Sequence, residues 1–192
     1  MGKLLIFGLG YTASRIADGL RGQGWQVSAT GRAGDLTFAD RPKVLIALEK
    51  ASHVLSSVPP DRASGHDPVL AEYGEALSGK PLFYLSSTGV YGDRQGAWVD
   101  EATPTVATSA QGRRQPRAEA DLAWLGRGAW VFRLPGIYGP GRSALDRVRA
   151  GQARRIDLPD QVFSRVHVDD IASGVAAALI AGAPPGAYNL SD

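Results

Sequence analysis

Two glycines one residue apart, Gly8 and Gly10, followed by Ala13, form the stretch of this sequence best suited to chemistry. The pattern is G-x-G-x-x-A. It lies between a continuous apolar run, Lys3 to Phe7, and a segment whose apolar positions Ala13, Ile16, Ala17 and Leu20 recur every three or four residues. Such a run reads as a strand buried on both faces, and the longer spacing as one face of a helix. Gly8 permits a sharp turn, Gly10 removes the side chain that would block a phosphate, and Ala13 allows close helix–strand packing. The first N–H groups of a helix attract anions, so the turn suits the diphosphate of a dinucleotide. Generic strand–helix turns also carry glycines; the placement directly after the first strand favours the binding reading.

An acidic residue about 20 positions after the glycines would hold the ribose 2′-hydroxyl of NAD. Here the second strand ends in "ATGR", so Thr30 and Arg32 stand in that place. A guanidinium pairs with a 2′-phosphate instead, which makes NADP the expected cofactor over NAD. The plainer alternative for Arg32 is a solvated surface arginine.

The elements that must position these residues alternate. Strands are expected at Lys3–Phe7, Trp25–Ala29, "HVLSSVPP", "PLFYLSSTGVYG", "AWVFRL" and "GAYNL", with shorter candidates near Leu36–Phe38, "RRIDLP" and "SRVHV". Helices are expected from Tyr11, at Lys43–Ala51, from Asp67 and Pro68 to before Gly79, at Arg117–Leu125, at Ser143–Ala150, and from Asp169 or Asp170 to about Ile180. Asp93 to Gln115 reads as a polar loop and "PGIYGPG" as a turn. The alternation calls for an α/β fold with a doubly wound parallel sheet, a Rossmann architecture, whose ligands bind at the carboxyl ends of the strands.

Composition narrows the classes. The 192 residues suit a single dinucleotide-binding domain over 1–192, with substrate-side elements from about 135 to 192. A net charge of +2 argues for no nucleic-acid partner. The absence of cysteine excludes disulfides, thiolate metal sites and a cysteine nucleophile. No apolar stretch reaches the roughly 18 residues of a membrane span and no signal-peptide pattern opens the chain, so a cytoplasmic protein is expected. "GEALSGKP" nearly spells a phosphate-binding P-loop, but Pro81 stands where a hydroxyl must hold magnesium.

Four stretches carry a resemblance: "GLGYTAS", "LSSTGVYG", "RLPGIYGPG" and "RVHVDDIA", in that order from about residue 5 to 175. Together they resemble the extended short-chain dehydrogenase/reductases of the NAD(P)-dependent epimerase/dehydratase type, in an atypical branch. The resemblance implies cofactor contacts at Gly8, Gly10, Tyr11, Thr12 and Ala13, with Pro59 beneath the adenosine half and Pro135 and Gly136 near nicotinamide. It implies an active-site hydroxyl at Thr88, with Ser87 the nearby alternative. A polar strand end bonding its own backbone is the competing reading of "SSTG".

The sequence departs from the family where its chemistry is centred. A Tyr-x-x-x-Lys pair on a helix places an ammonium beside a phenol and makes it a useful acid or base. Counting back from "RAEAD", the pair falls on Gln111 and Gln115, neither of which transfers protons near neutral pH. Tyr91, shortly after Thr88, is the candidate for a displaced acid. Arg113, Arg114 and Arg117 are candidates for binding an anionic substrate, or simply a solvated face. His167 is read as structural before catalytic. The family also continues beyond the equivalent of "YNLSD", so a reduced or truncated C-terminal substrate lobe is expected.

Two functions follow. One is an NADP-dependent reductase, epimerase or dehydratase of slow turnover, acting on a small, sugar-like or nucleotide-linked substrate, with a homodimer as the candidate assembly. The other is a non-catalytic NADP(H)-binding sensor or interaction module.

Overall fold

The computed structural model describes residues 2–106, 114–154 and 162–192, with Arg114 by its backbone alone. The first strand, β1 (Lys3–Phe7), is buried on both faces. Leu4 and Ile6 point into one apolar layer and Leu5 and Phe7 into the other, as a period of two requires. Then come α1 (Tyr11–Gly22), β2 (Gln26–Ala29), α2 (Arg41–Lys50), β3 (His53–Ser56) and α3 (Pro68–Tyr73). After β4 (Leu82–Ser87) a 3₁₀ turn covers Thr88–Tyr91, followed by α4 (Arg114–Leu125) and β5 (Trp130–Leu134). The last described elements are β6 (Gly136–Tyr138), α5 (Ala144–Arg149), β7 (Arg165–His167), α6 (Val168–Ala181) and β8 (Gly186–Asn189).

Six strands form one parallel sheet in the order β2-β1-β3-β4-β5-β8, and β6 pairs with β7 in a separate parallel ribbon. The chain leaves β1 for β2 on one side, then crosses to β3 on the other. That reversal opens a crevice at the carboxyl end of β1, where the glycines lie. This is the doubly wound parallel sheet expected from the alternation.

Helices α1 and α6 cover one face, setting Ile16, Ala17, Leu20, Ile171 and Val175 against Leu4, Ile6, Phe83 and Phe132. Helices α2, α3 and α4 cover the other, with Val44, Leu48, Tyr73 and Trp124 against Phe7, Val54, Tyr84 and Val131. Trp124 stacks on Tyr84 at 5.3 Å and donates its indole N–H to Asp67 at 2.8 Å. Asp67 also caps α3 by accepting from Val69 and Leu70. Burying an indole without a partner is costly, so one carboxylate starts a helix and satisfies the core tryptophan.

Several local expectations are corrected. The candidate strand at Leu36–Phe38 is a single bridge from Leu36 to Thr30, because the Asp35 carboxylate takes the Ala29 N–H at 2.6 Å. α3 ends at Tyr73, and turns follow it. α4 starts at Arg114, and "PGIYGPG" contains β6. α6 is capped by His167, whose Nδ1 accepts the Asp169 N–H at 3.3 Å; Asp169 and Asp170 lie in its first turn. "RRIDLP" lies largely outside the described residues. Among the described residues, no helix is long and apolar enough to cross a membrane.

Candidate cofactor and active site

The turn after β1 is held from two directions. The Gly8 N–H donates to Thr30 Oγ1 at 3.1 Å and the Leu9 N–H to the Thr30 carbonyl at 2.8 Å. The Gly8 carbonyl accepts from the Gly10 N–H at 2.9 Å and from the Ser57 hydroxyl. Gly8 has φ +87°, and a Cβ there would lie 3.0 Å from both Ser57 Oγ and Val58 Cγ2. Glycine is required by backbone and by neighbours alike.

Gly10 is different. Its φ is −95°, and a Cβ would meet nothing within 4 Å. It is the N-cap of α1 and supplies no capping side chain, so the first turn presents its N–H groups to open space. A side chain at 10 would project into that space. A diphosphate fits there, because the donors are present and the volume is free. Tyr11 is partly exposed, while Thr12 and Ala13 are buried against the sheet.

Thr30, the residue after β2, is buried, and its hydroxyl accepts the Gly8 N–H at the place where a carboxylate would hold a ribose. Arg32, two residues on, is exposed. Pro59 is exposed beyond β3. Pro135 is half-buried and Gly136 exposed at the end of β5. These positions line the carboxyl edge of the sheet on either side of β1.

Ser86 and Ser87 end β4, and the 3₁₀ turn begins at Thr88. Ser87 caps that turn by accepting the Gly89 N–H at 3.1 Å. The polar strand end thus satisfies part of its own backbone and leaves Thr88 half-buried at its front. α4 packs on this turn and on β4. Gln115 sits in the first turn of α4, donating to Glu119 at 3.0 Å; Gln111 lies outside the described residues.

Tyr91 does not stand at an open surface. It is 2% exposed; its hydroxyl donates to Asn189 Oδ1 at 2.8 Å and accepts from Arg133 Nη1 at 2.8 Å. The expectation of a displaced acid meets a buried phenol with both hydrogen-bonding roles occupied. Arg133 in turn makes a two-point pair with Asp121, at 3.1 Å through Nε and 2.8 Å through Nη2. Burial opposes the Arg133 charge, but the bonds to Asp121 and Tyr91 outweigh it and raise its pKa. Ser86 donates to the same carboxylate at 2.6 Å. Sequence patterning missed Asp121 and Arg133; the signal available was Asp121 at helical spacing between the buried Ala118 and Trp124, and Arg133 within the apolar run "WVFRL".

Arg117 is half-buried and not part of a solvated face. Its guanidinium donates to the Tyr84 hydroxyl at 3.1 Å. Burial pushes the Tyr84 phenol up to about 12, against the opposing charge of Arg117. Arg113 and the side chain of Arg114 lie outside the described residues. His167 serves as a helix cap, the structural role expected of it, and packs edge-on to Tyr138 at 5.1 Å.

No protein-family model matches the chain. It is 29% identical over a 216-residue alignment to Protein YeeZ of Escherichia coli K12, covering 98% of this chain and 76% of that protein. A solved structure of a conserved protein of unknown function from Silicibacter pomeroyi DSS is 41% identical, with TM-score 0.81, over all of this chain and 73% of the other. A protein from Methylobacillus flagellatus, assigned to the NAD-dependent epimerase/dehydratases, is 27% identical with TM-score 0.73 over all of this chain and 76% of its own. With its parallel Rossmann sheet and its glycine turn at the switch point, the chain is similar in structure to NAD-dependent epimerase/dehydratase-like proteins.

Proposed function

We propose that this chain binds NADP(H) along the carboxyl edge of its sheet and acts slowly on a small carbonyl-bearing substrate, sugar-like or nucleotide-linked. The observation that carries this reading is Gly10. It is an exposed N-cap with free space in front, held in register by the bonds of Gly8 and Leu9 to Thr30. The Tyr11, Thr12 and Ala13 amides of the first turn would hold the diphosphate, and Arg32 the 2′-phosphate. Pro59 would bound the adenosine half, and Pro135 and Gly136 the nicotinamide. A bound nicotinamide supplies hydride exchange.

The chain must orient the substrate oxygen and stabilise its developing negative charge. Thr88 is the hydroxyl at the front of the 3₁₀ turn, suited to donate one hydrogen bond to that oxygen. With glutamines at 111 and 115 no ammonium tunes a phenol there, and Tyr91 is committed to Arg133 and Asn189. General acid–base help contributes about 10²–10⁴-fold, so turnover should be slow or absent on common family substrates. The same observations favour a second reading, a non-catalytic NADP(H)-binding sensor or module.

The test is a binding and turnover pair: calorimetry with NADP⁺ and NAD⁺, then a cofactor-consumption panel with sugar nucleotides and simple carbonyls. Preferred binding of NADP⁺ with slow turnover that falls in Thr88→Ala supports the enzyme. Binding with no turnover selects the second reading. Absence of dinucleotide binding overturns both.

A further inference from the structure

Arg142 is exposed and lies on the turn that rests against the first residue of α1. Arg15, Arg21 and Arg149 are matched to Asp169, Asp18 and Asp146 respectively. Arg142 makes no ion pair among the described residues. Its guanidinium lies over the ring of Tyr11, 5.5 Å from the centroid. Tyr11 is the residue directly after Gly10 and the first of α1. Its hydroxyl donates to the Pro140 carbonyl at 3.1 Å, so the turn carrying Arg142 rides on the mouth of the glycine turn.

That turn is rigid. The Arg142 N–H donates to the Gly139 carbonyl at 2.9 Å and the Gly139 N–H to the Arg142 carbonyl at 3.3 Å. A Cβ at Gly139 would come within 2.7 Å of both Tyr11 Oη and Val168 Cγ1, so only glycine lets the turn sit this close. The nearest carboxylate in sequence, Asp146, is occupied: it closes the capping box with Ser143 and pairs with Arg149. A cation is therefore held over the positive end of a helix with no ion-pair partner among the described residues. Both charges favour the same occupant, a phosphate.

We propose that Arg142 clamps the dinucleotide diphosphate from the side opposite the α1 amides, with Tyr11 as the platform that fixes the guanidinium. This deepens the NADP(H) reading above and rests on it. Arg142 and Arg32 then divide the ligand: Arg142 serves the diphosphate and Arg32 the 2′-phosphate.

The experiment measures affinity for NADP⁺ and for adenosine 2′-monophosphate, which has the 2′-phosphate but no diphosphate. It uses the wild type, Arg142→Gln and Arg32→Gln, each checked for an unchanged circular-dichroism melt. Arg142→Gln should weaken NADP⁺ about tenfold or more, the effect of one charge-assisted contact, and leave adenosine 2′-monophosphate unchanged. Arg32→Gln should weaken both. Unchanged NADP⁺ affinity in Arg142→Gln overturns the clamp alone, as does an equal loss for the two ligands. A wild type that binds neither ligand overturns the underlying NADP(H) reading and the clamp with it.

Discussion

Tyr91 and Arg133 meet at 2.8 Å inside the protein, phenol oxygen to guanidinium, with Asp121 closing the other side of the arginine. The triad ties the 3₁₀ turn to β5 and to α4, and Asn189 extends it to β8. It holds the 3₁₀ turn that begins at Thr88. Removing one partner leaves a buried charge uncompensated. Asp121→Ala should therefore cost about 3–5 kcal/mol in urea denaturation, and Tyr91→Phe about 1–3 kcal/mol for the unpaired groups it leaves. Stability close to wild type in Asp121→Ala would show that the pair is not the anchor described.

Cofactor choice is predicted from the end of β2. Arg32 is exposed there, and Thr30 stands where a carboxylate would hold the ribose. NADP⁺ should bind more tightly than NAD⁺, and Arg32→Ala should remove mainly that preference, by about tenfold or more. Equal affinities in wild type would contradict the assignment.

Acid should weaken the fold through His53. The ring packs against Trp25 at 5.1 Å and Phe83 at 6.1 Å, and burial lowers its pKa below the ordinary value. The unfolded chain then takes up a proton at higher pH than the folded one. Stability is full above the ordinary histidine value, about 6.5, and falls as pH drops from there toward the lower folded value. Denaturation midpoints at neutral and mildly acidic pH should differ less in His53→Gln than in wild type. An identical pH dependence in the two would rule out this source.

The glycine turn, the sheet and most helices were legible because their signals are local: an apolar run, a three-and-four spacing, a Pro after an Asp. What holds the turn was not. Thr30 reaches Gly8 across 22 positions and Ser57 across 49, and no local pattern encodes either bond. Tyr91 shows the opposite error. Three positions after Thr88 it looks like a neighbour in chemistry, but the 3₁₀ turn swings it inward to Arg133, 42 positions away. β6 was hidden because three strand residues sit among Gly and Pro, whose turn signal dominates. Arg117 carries no local mark of burial, because its partner Tyr84 lies 33 positions away.

Turnover should depend on Thr88. Thr88→Ala should lower kcat for any accepted carbonyl substrate by about tenfold or more, the loss of one donor to a developing oxyanion, with little change in NADP⁺ affinity. Robust turnover indifferent to Thr88→Ala would place the chemistry elsewhere.

The central claim is that the open space before α1 receives the dinucleotide, and calorimetric titration of NADP⁺ into wild type, Gly10→Val and Gly8→Val tests it most directly. Gly10→Val should melt close to wild type, because its side chain enters free space, and should lose detectable binding. Gly8→Val should be destabilised by about 1–3 kcal/mol, since it forces a positive φ and crowds Ser57 and Val58. A folded Gly10→Val protein that binds NADP⁺ with wild-type affinity would contradict the account.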